Sequence, residues 1–297
     1  MMNVLFSLKG CLLLIIFTCG FLSGNAQEKN GQIDLFCGAE LNYNDTDILR
    51  LYNVLINLTP GVKWNMGNGW ITAGQLSYAA MNYGYDSRNN YLRIGMVTLS
   101  KELALGGNQH LKVTSGLFGY ERYGLDARWM MPVNSWLMLQ ARAGVTNHWW
   151  LSTDETVFDM KKWIATGIAG VNIWIDKWAT ELRLSGGRYI NEDYGMEGEV
   201  YCHFRHCSIG AFAQWHETYY QRPIKSNYNY SGGFRVVMLL PPYELPQKKV
   251  RIRPASNFRL TYNAQSDGYS MKMYHTDPEE NEREYQTNVR WGTGLYR

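Results

Sequence analysis

A period of two constrains this chain more than any other feature. Between Tyr52 and Trp64, the residues Tyr52, Val54, Ile56, Leu58, Val62 and Trp64 share one face, while Asn53, Asn57, Thr59, Gly61 and Lys63 share the other. Side chains of a strand point alternately to opposite sides of a sheet, so this spacing predicts strands with one apolar and one polar face. Leu137, Leu139, Ala141, Ala143 and Val145 repeat the pattern against Gln140, Arg142 and Thr146. Tyr230, Phe234, Val236, Met238 and Leu240 repeat it against Ser231, Gly233 and Arg235. About twelve such segments run through 32–43, 50–64, 70–83, 90–103, 109–120, 122–131, 136–149, 162–175, 178–190, 196–205, 208–219 and 228–240, with an uncertain loop from Gly119 to Tyr123.

Segments of this length can cross a bilayer when tilted, and outer-membrane barrels alternate apolar-out with polar-in. No segment after the first residues approaches the roughly 20 apolar residues of a spanning helix. The expected connections alternate between a short set (65–69, 104–108, 132–135, 176–177 and a turn near Arg205) and a longer set (44–49, 84–89, 150–161, 191–195 and 220–227). That is the alternation of short periplasmic turns and longer external loops. A soluble two-sheet sandwich also alternates, but its aromatic residues gather in a core. Here they gather at strand ends.

Trp64 and Trp70, Trp129 and Trp136, and Trp174 and Trp178 each bracket a turn of the short set. Indole suits a boundary between hydrocarbon and water, so these six are the expected periplasmic-side girdle. Tyr43, Tyr52, Tyr83, Tyr85, Tyr91, Trp149, Trp150, Tyr219, Tyr220, Tyr228 and Tyr230 bracket the long connections and form the expected second girdle.

The chain opens with an export signal. Lys9 precedes the apolar run Cys11 to Phe17, and Gly24-Asn25-Ala26-Gln27 reads as a cleavage site, so a signal peptide is expected over 1–27. Lipidation at Cys19 is the alternative, set against the bulky Phe17 two residues before it. Past 28–240, the expected barrel, the composition shifts. Pro241, Pro242 and Pro246 interrupt strand pairing. Residues 241–297 are therefore expected to form a periplasmic extension with room for one or two strands. A rival reading makes 256–264 and 285–296 two further barrel strands. Lys248, Lys249, Arg251 and Arg253 are the candidate partner contact in this tail, and the acidic patch from Glu279 to Glu284 reads as soluble surface.

Chemistry is thinly signalled. A formal net charge of +3 argues against a nucleic-acid partner. Cys202, His203, His206 and Cys207 could suggest zinc or a local disulfide, yet alternation sends Cys202 and His203 to opposite faces. Ser152, His148, His216, Asp154, Glu155 and Asp159 form no compact nucleophile–base–acid pattern, so no enzyme, cofactor or metal is expected. Asp126, Arg128, Arg142, Glu181, Arg183, Glu197 and Glu199 are the expected lumen charges, and their mixed signs favour a filled or constricted interior.

With its single export signal, its glycine- and tyrosine-rich barrel and the stretch KKVRIRPASNFRLTY after it, the chain resembles the YjbH-type outer-membrane proteins associated with exopolysaccharide production. The resemblance covers most of the mature chain. It implies a non-enzymatic part in exporting or assembling a cell-surface polysaccharide. The expectation is an all-β, antiparallel transmembrane β-barrel of about 12 strands (10–14) with a periplasmic C-terminal extension, in the outer membrane of a Gram-negative bacterium. Its partners would be outer-membrane lipid and periplasmic polysaccharide-export proteins or the polysaccharide itself. A general small-solute channel or structural barrel is the alternative, and a lipid-modifying enzyme a more distant one.

Overall fold

The structure, a computed structural model, describes residues 31–44, 53–217, 228–242, 248–263 and 273–279. The expected signal peptide, and residues 285–296 of the rival reading, lie outside them. Fifteen strands form one sheet: β1 Gln32–Asn44, β2 Asn53–Gly67, β3 Trp70–Tyr83, β4 Arg93–Leu105, β5 Gln109–Phe118, β6 Arg122–Pro132, β7 Leu137–Leu151, β8 Thr156–Phe158, β9 Ile164–Ile175, β10 Thr180–Arg188, β11 Tyr194–His203, β12 Cys207–Glu217, β13 Tyr228–Leu239, β14 Val250–Pro254 and β15 Asn257–Asn263. Each of the twelve segments read from the sequence overlaps one strand. The additional strands are the short β8, which pairs only with β7, and β14 and β15.

The order is a meander, β14-β1-β2-β3-β4-β5-β6-β7-β9-β10-β11-β12-β13-β15, antiparallel except where β14 runs parallel to β1. Tight turns hold the meander in register. The β2–β3 hairpin turns on Asn68-Gly69 alone, both with positive φ, so β2 continues three residues deeper into the expected 65–69 loop than alternation indicated. Asn-Gly accepts this left-handed geometry at low cost, which is why it favours two-residue hairpins. The uncertain loop near 120 is also a tight hairpin, with Tyr120 and Glu121 both at positive φ. Neither residue is a usual choice there, so residue type does not mark the turn.

One partly enclosed space organises the sheet. A cavity of about 930 Å³ is bordered by Phe36 of β1, Met96 of β4, Arg142 of β7, Arg183 of β10 and Val236 of β13. A flat sheet would hold β1 and β13 roughly 50 Å apart at ~4.8 Å per strand, so the sheet curls strongly around that space. Its two edges, β14 and β15, are consecutive in the chain and separated only by Ala255 and Ser256. Ala255 N–H donates to the Cys37 carbonyl at 2.9 Å, and Leu240 N–H to the Ser256 carbonyl at 2.9 Å. Among the described residues no ladder pairs β14 with β15, so backbone pairing does not close the sheet into a ring.

The faces are inverted relative to a water-soluble core. Asn57, Thr98, Thr114, Asp126, Thr146, Asn172 and Glu181 are buried, while Leu58, Val97, Leu125, Val145, Leu184 and Val200 are exposed. The alternation read from the sequence is present, and the polar side is the enclosed one.

Candidate functional site

The buried polar face divides into two clusters and an intruding segment. The first cluster is centred on Glu181 of β10, which is 0% exposed. Arg183 two residues along donates to it at 2.9 Å, Asn172 Nδ2 from β9 at 2.9 Å, and His203 Nε2 from β11 lies at 3.0 Å. Strand pairing sets Glu181 opposite Trp174 and Tyr201, so these groups meet on one face by register. Glu197, Glu199 and Arg235 extend the cluster, with Arg235 donating to both Glu197 oxygens at 3.1 and 3.0 Å.

Ser208 Oγ also sits 2.9 Å from His203 Nδ1, which gives a serine–histidine–glutamate chain. Ser208 is buried, it does not border the cavity, and Glu181 is already committed to Arg183 and Asn172. The chain therefore satisfies buried polar groups within this network. His203 belongs to this network, and Cys202 and Cys207 are not joined in a disulfide.

The second cluster forms around Met273–Glu279, a segment that belongs to no strand yet lies against the buried face. Tyr274 is 0% exposed. Its hydroxyl donates to Asp126 Oδ1 at 2.8 Å, and its ring stacks on Phe118 at 5.1 Å. Arg142 spans the ring and donates both to the Tyr274 carbonyl (2.9 Å) and to Asp126 (2.8 Å). Gly144 makes the fit possible, because a Cβ there would lie 1.8 Å from the Tyr274 hydroxyl oxygen.

Further along the segment, Asp277 meets Lys63 of β2 at 2.8 Å and Lys112 of β5 at 3.6 Å. Glu279 takes a two-pronged contact from Arg253 of β14 at 2.6 and 2.5 Å, and the Ser256 N–H at 2.7 Å. Paired guanidinium–carboxylate contacts of this kind are strong and geometrically specific. Arg253 and Arg251 both also contact Asp34.

The Asp277 carboxyl is pulled in two directions. Burial alone would raise its pKa, but Lys63 and Lys112 outweigh burial and hold it well below the usual carboxylate range. A group whose folded pKa is depressed lends stability that is complete above its ordinary value and is lost as pH falls toward the folded value. We expect the segment to stay seated at about pH 5 and to loosen only well below about pH 4, where an ordinary aspartate titrates. The anisotropy of a fluorophore on His275→Cys, in a background without the native cysteines, measures this. A midpoint near neutrality would contradict it.

Of the expected lumen charges, Asp126, Arg142, Glu181, Arg183, Glu197 and Glu199 all join these two clusters, and Arg128 borders the cavity. The candidate tail contacts split. Lys248 and Lys249 are exposed, while Arg251 and Arg253 are occupied by Asp34 and Glu279. Glu279 is only 4% exposed, so the reading of this residue as soluble surface is corrected: it is held inside by Arg253. Glu280, Glu282 and Glu284 lie outside the described residues.

The six girdle tryptophans flank the turns β2–β3, β6–β7 and β9–β10, which fall at one end of the meander. Trp64, Trp136 and Trp178 are exposed, and Trp70 and Trp129 are half-buried. Trp174 turns to the enclosed face, where it packs with Met130 and Met138 and lies over His203. At the other end Tyr83, Tyr91 and Tyr230 are exposed. Trp149 and Trp150 differ from the expected girdle and are buried. Trp149 Nε1 donates to the Arg122 carbonyl at 2.8 Å, and Arg93 covers the Trp150 ring.

No local sequence pattern joins Lys63, Lys112, Asp34, Tyr274 and Asp277. Lys63 and Lys112 fall on the polar faces of their strands, which is their only signal. Compared with protein-family models, curated proteins and solved structures, the chain matches none of them.

Proposed function

We propose that this chain is a membrane-spanning β-barrel of outer-membrane type, its interior obstructed by its own tail, and that it serves non-catalytically in exporting or assembling a cell-surface polysaccharide. One observation supports the membrane reading above others: the apolar face is the exposed one. A soluble antiparallel sheet buries its apolar face and solvates the polar one. Exposed Leu58, Val97, Leu125, Val145, Leu184 and Val200 opposite buried Asn57, Thr98, Asp126 and Glu181 suit lipid outside and a polar lumen. β14 and β15 lying end to end at Ala255 and Ser256 would bring the edges together, and exposed Trp64, Trp136 and Trp178 would mark one interface. The polysaccharide role rests on the family resemblance and on a lumen rich in amide, hydroxyl and charged groups.

Arginine substitutions on the exposed face test the membrane reading. Val145 and Leu184 lie mid-strand, and Val145→Arg or Leu184→Arg is expected to cost about 2–4 kcal/mol in lipid vesicles, as at a bilayer midplane. On a soluble surface the same changes stay within about 0.5 kcal/mol. Urea titration after reconstitution distinguishes the two, and near-neutral values would sink the barrel reading. The competing small-solute channel is favoured by the cavity of about 930 Å³. Steady bilayer conductance from the unmodified protein would favour that channel over the export role.

A further inference from the structure

The geometry points to a binding site for a carboxylated polysaccharide chain on the wall that holds Asp277 and Glu279, occupied in this structure by the protein's own tail. The inference rests on the export reading and names its substrate class. Lys63, Lys112, Arg251 and Arg253 bring four positive charges to one region of the enclosed face, and the wall carboxylates Asp34 and Glu102 bring two negative ones. These four cations thus outnumber these two wall carboxylates by two. Asp277 and Glu279 supply two negative charges.

These contacts come from a segment outside the sheet. Strand ladders hold the cations in place, whereas Asp277 and Glu279 are carried on Met273–Glu279. If the segment withdrew, Lys63, Lys112 and Arg253 would remain in an enclosed place with fewer carboxylates. Uncompensated charge there is costly. Any flexible chain presenting carboxylates at short intervals relieves that cost by taking the same positions. The adjoining cavity favours a polysaccharide over an acidic peptide. It is bordered by Gln75, Tyr85, Asn89, Tyr120 and Gln140, whose amide and phenol groups can exchange hydrogen bonds with sugar hydroxyls.

The tail competes intramolecularly, so it acts at a high effective concentration and weakens the apparent affinity for an outside chain in proportion to the fraction of time it is seated. Weakening the tail's grip therefore tightens binding of the external ligand. Locking the tail prevents it. Gly119 offers a lock: its N–H donates to the His275 carbonyl at 2.9 Å, and a Cβ built on it lies 3.3 Å from the His275 Cβ, within a few tenths of an ångström of disulfide geometry.

The experiment uses the full chain in detergent micelles at low salt, titrated calorimetrically with oligogalacturonate, with neutral dextran and oligoglutamate for comparison. Asp277→Asn with Glu279→Gln is expected to tighten oligogalacturonate binding about tenfold or more, and adding Lys63→Gln and Lys112→Gln to that variant is expected to abolish the gain. Gly119→Cys with His275→Cys, in a Cys37→Ser, Cys202→Ser, Cys207→Ser background, is expected to lose binding when oxidised and regain it on reduction. This arm leaves the tail carboxylates intact and decides the matter should the charge variant fail to fold. Oligogalacturonate binding that ignores both changes would overturn the site. Equal binding of dextran or oligoglutamate would overturn the ligand class. The Val145→Arg and Leu184→Arg measurements leave the enclosed face unaltered, so failure of the barrel reading registers separately.

Discussion

Glu181→Ala is expected to destabilise the protein by about 3–5 kcal/mol, the cost of removing one partner from a buried ionic group. Glu181 is fully enclosed and gathers Arg183, Asn172 and His203 from three strands. Without it the Arg183 guanidinium loses its 2.9 Å carboxylate partner, while the Glu199 carboxylate at 3.9 Å and the Tyr201 ring remain beside it. Asn172 and His203 each lose an acceptor as well. Glu181→Gln preserves the shape and can still accept from Asn172, so it should cost less. Pairing Glu181→Ala with Arg183→Met separates the ionic contribution, since coupling energies for contacting residues run about 0.5–3 kcal/mol. Urea unfolding of the reconstituted variants supplies all four corners of the cycle. Strict additivity would mean that Glu181 stabilises mainly through Asn172 and His203.

Gly144→Leu is expected to unseat Tyr274 and to forfeit about 3–5 kcal/mol, the range for losing a well-packed buried aromatic. The wall cannot yield easily at this point. Gly144 lies in β7, paired with Asp126 of β6 and Thr166 of β9, and the nearest backbone atom to a new Cβ is the Leu125 carbonyl oxygen at 3.0 Å. Tyr274 belongs to no ladder, so the segment moves and the strand stays. Its stacking on Phe118, its hydroxyl contact with Asp126 and the Arg142 bridge are then lost together. Limited proteolysis at Met273–Glu279 and bilayer conductance both report the release. Gly144→Ala combined with Tyr274→Phe, which removes the colliding oxygen, is the control and should lose only about 1–2 kcal/mol, roughly one hydrogen bond. If Gly144→Leu leaves the segment protected, then Tyr274 is not held by this fit.

The parts legible in the sequence were those governed by local rules. Alternation found β1 to β7 and β9 to β13 because side-chain direction in a strand is fixed by the backbone. The same alternation put Asp126, Arg142, Glu181 and Arg183 on the polar face, where register brings them together. Asn68-Gly69 marked its own turn. Three-residue β8 is too short to show a period, and Arg251 and Arg253 read as a solvated basic tract because their acidic partners are far away in sequence. Asp34 is 217 residues from Arg251, and Lys63 is 214 residues from Asp277. No local pattern encodes such a pairing. Trp174 illustrates the opposite limit. Its position beside a turn was readable, but its inward direction follows from the pairing of β9 with β10 and from the space left by Met130 and Met138.

The late position of β14 bears on how the chain reaches this state. β1 gains its second neighbour only when residues 250–254 arrive, and those residues come more than two hundred positions later in the sequence. Until then β1 is an open edge with unpaired amides and carbonyls, a template for pairing with other chains. Contacts of such long range also slow folding, because the ends must meet before the reward is collected. Residues 250–254 thus cover the edge that β1 otherwise leaves open. A molecule truncated before Val250 would present its first strand to its neighbours, so aggregation during biogenesis, more than loss of the site itself, is the phenotype that deletion would produce first.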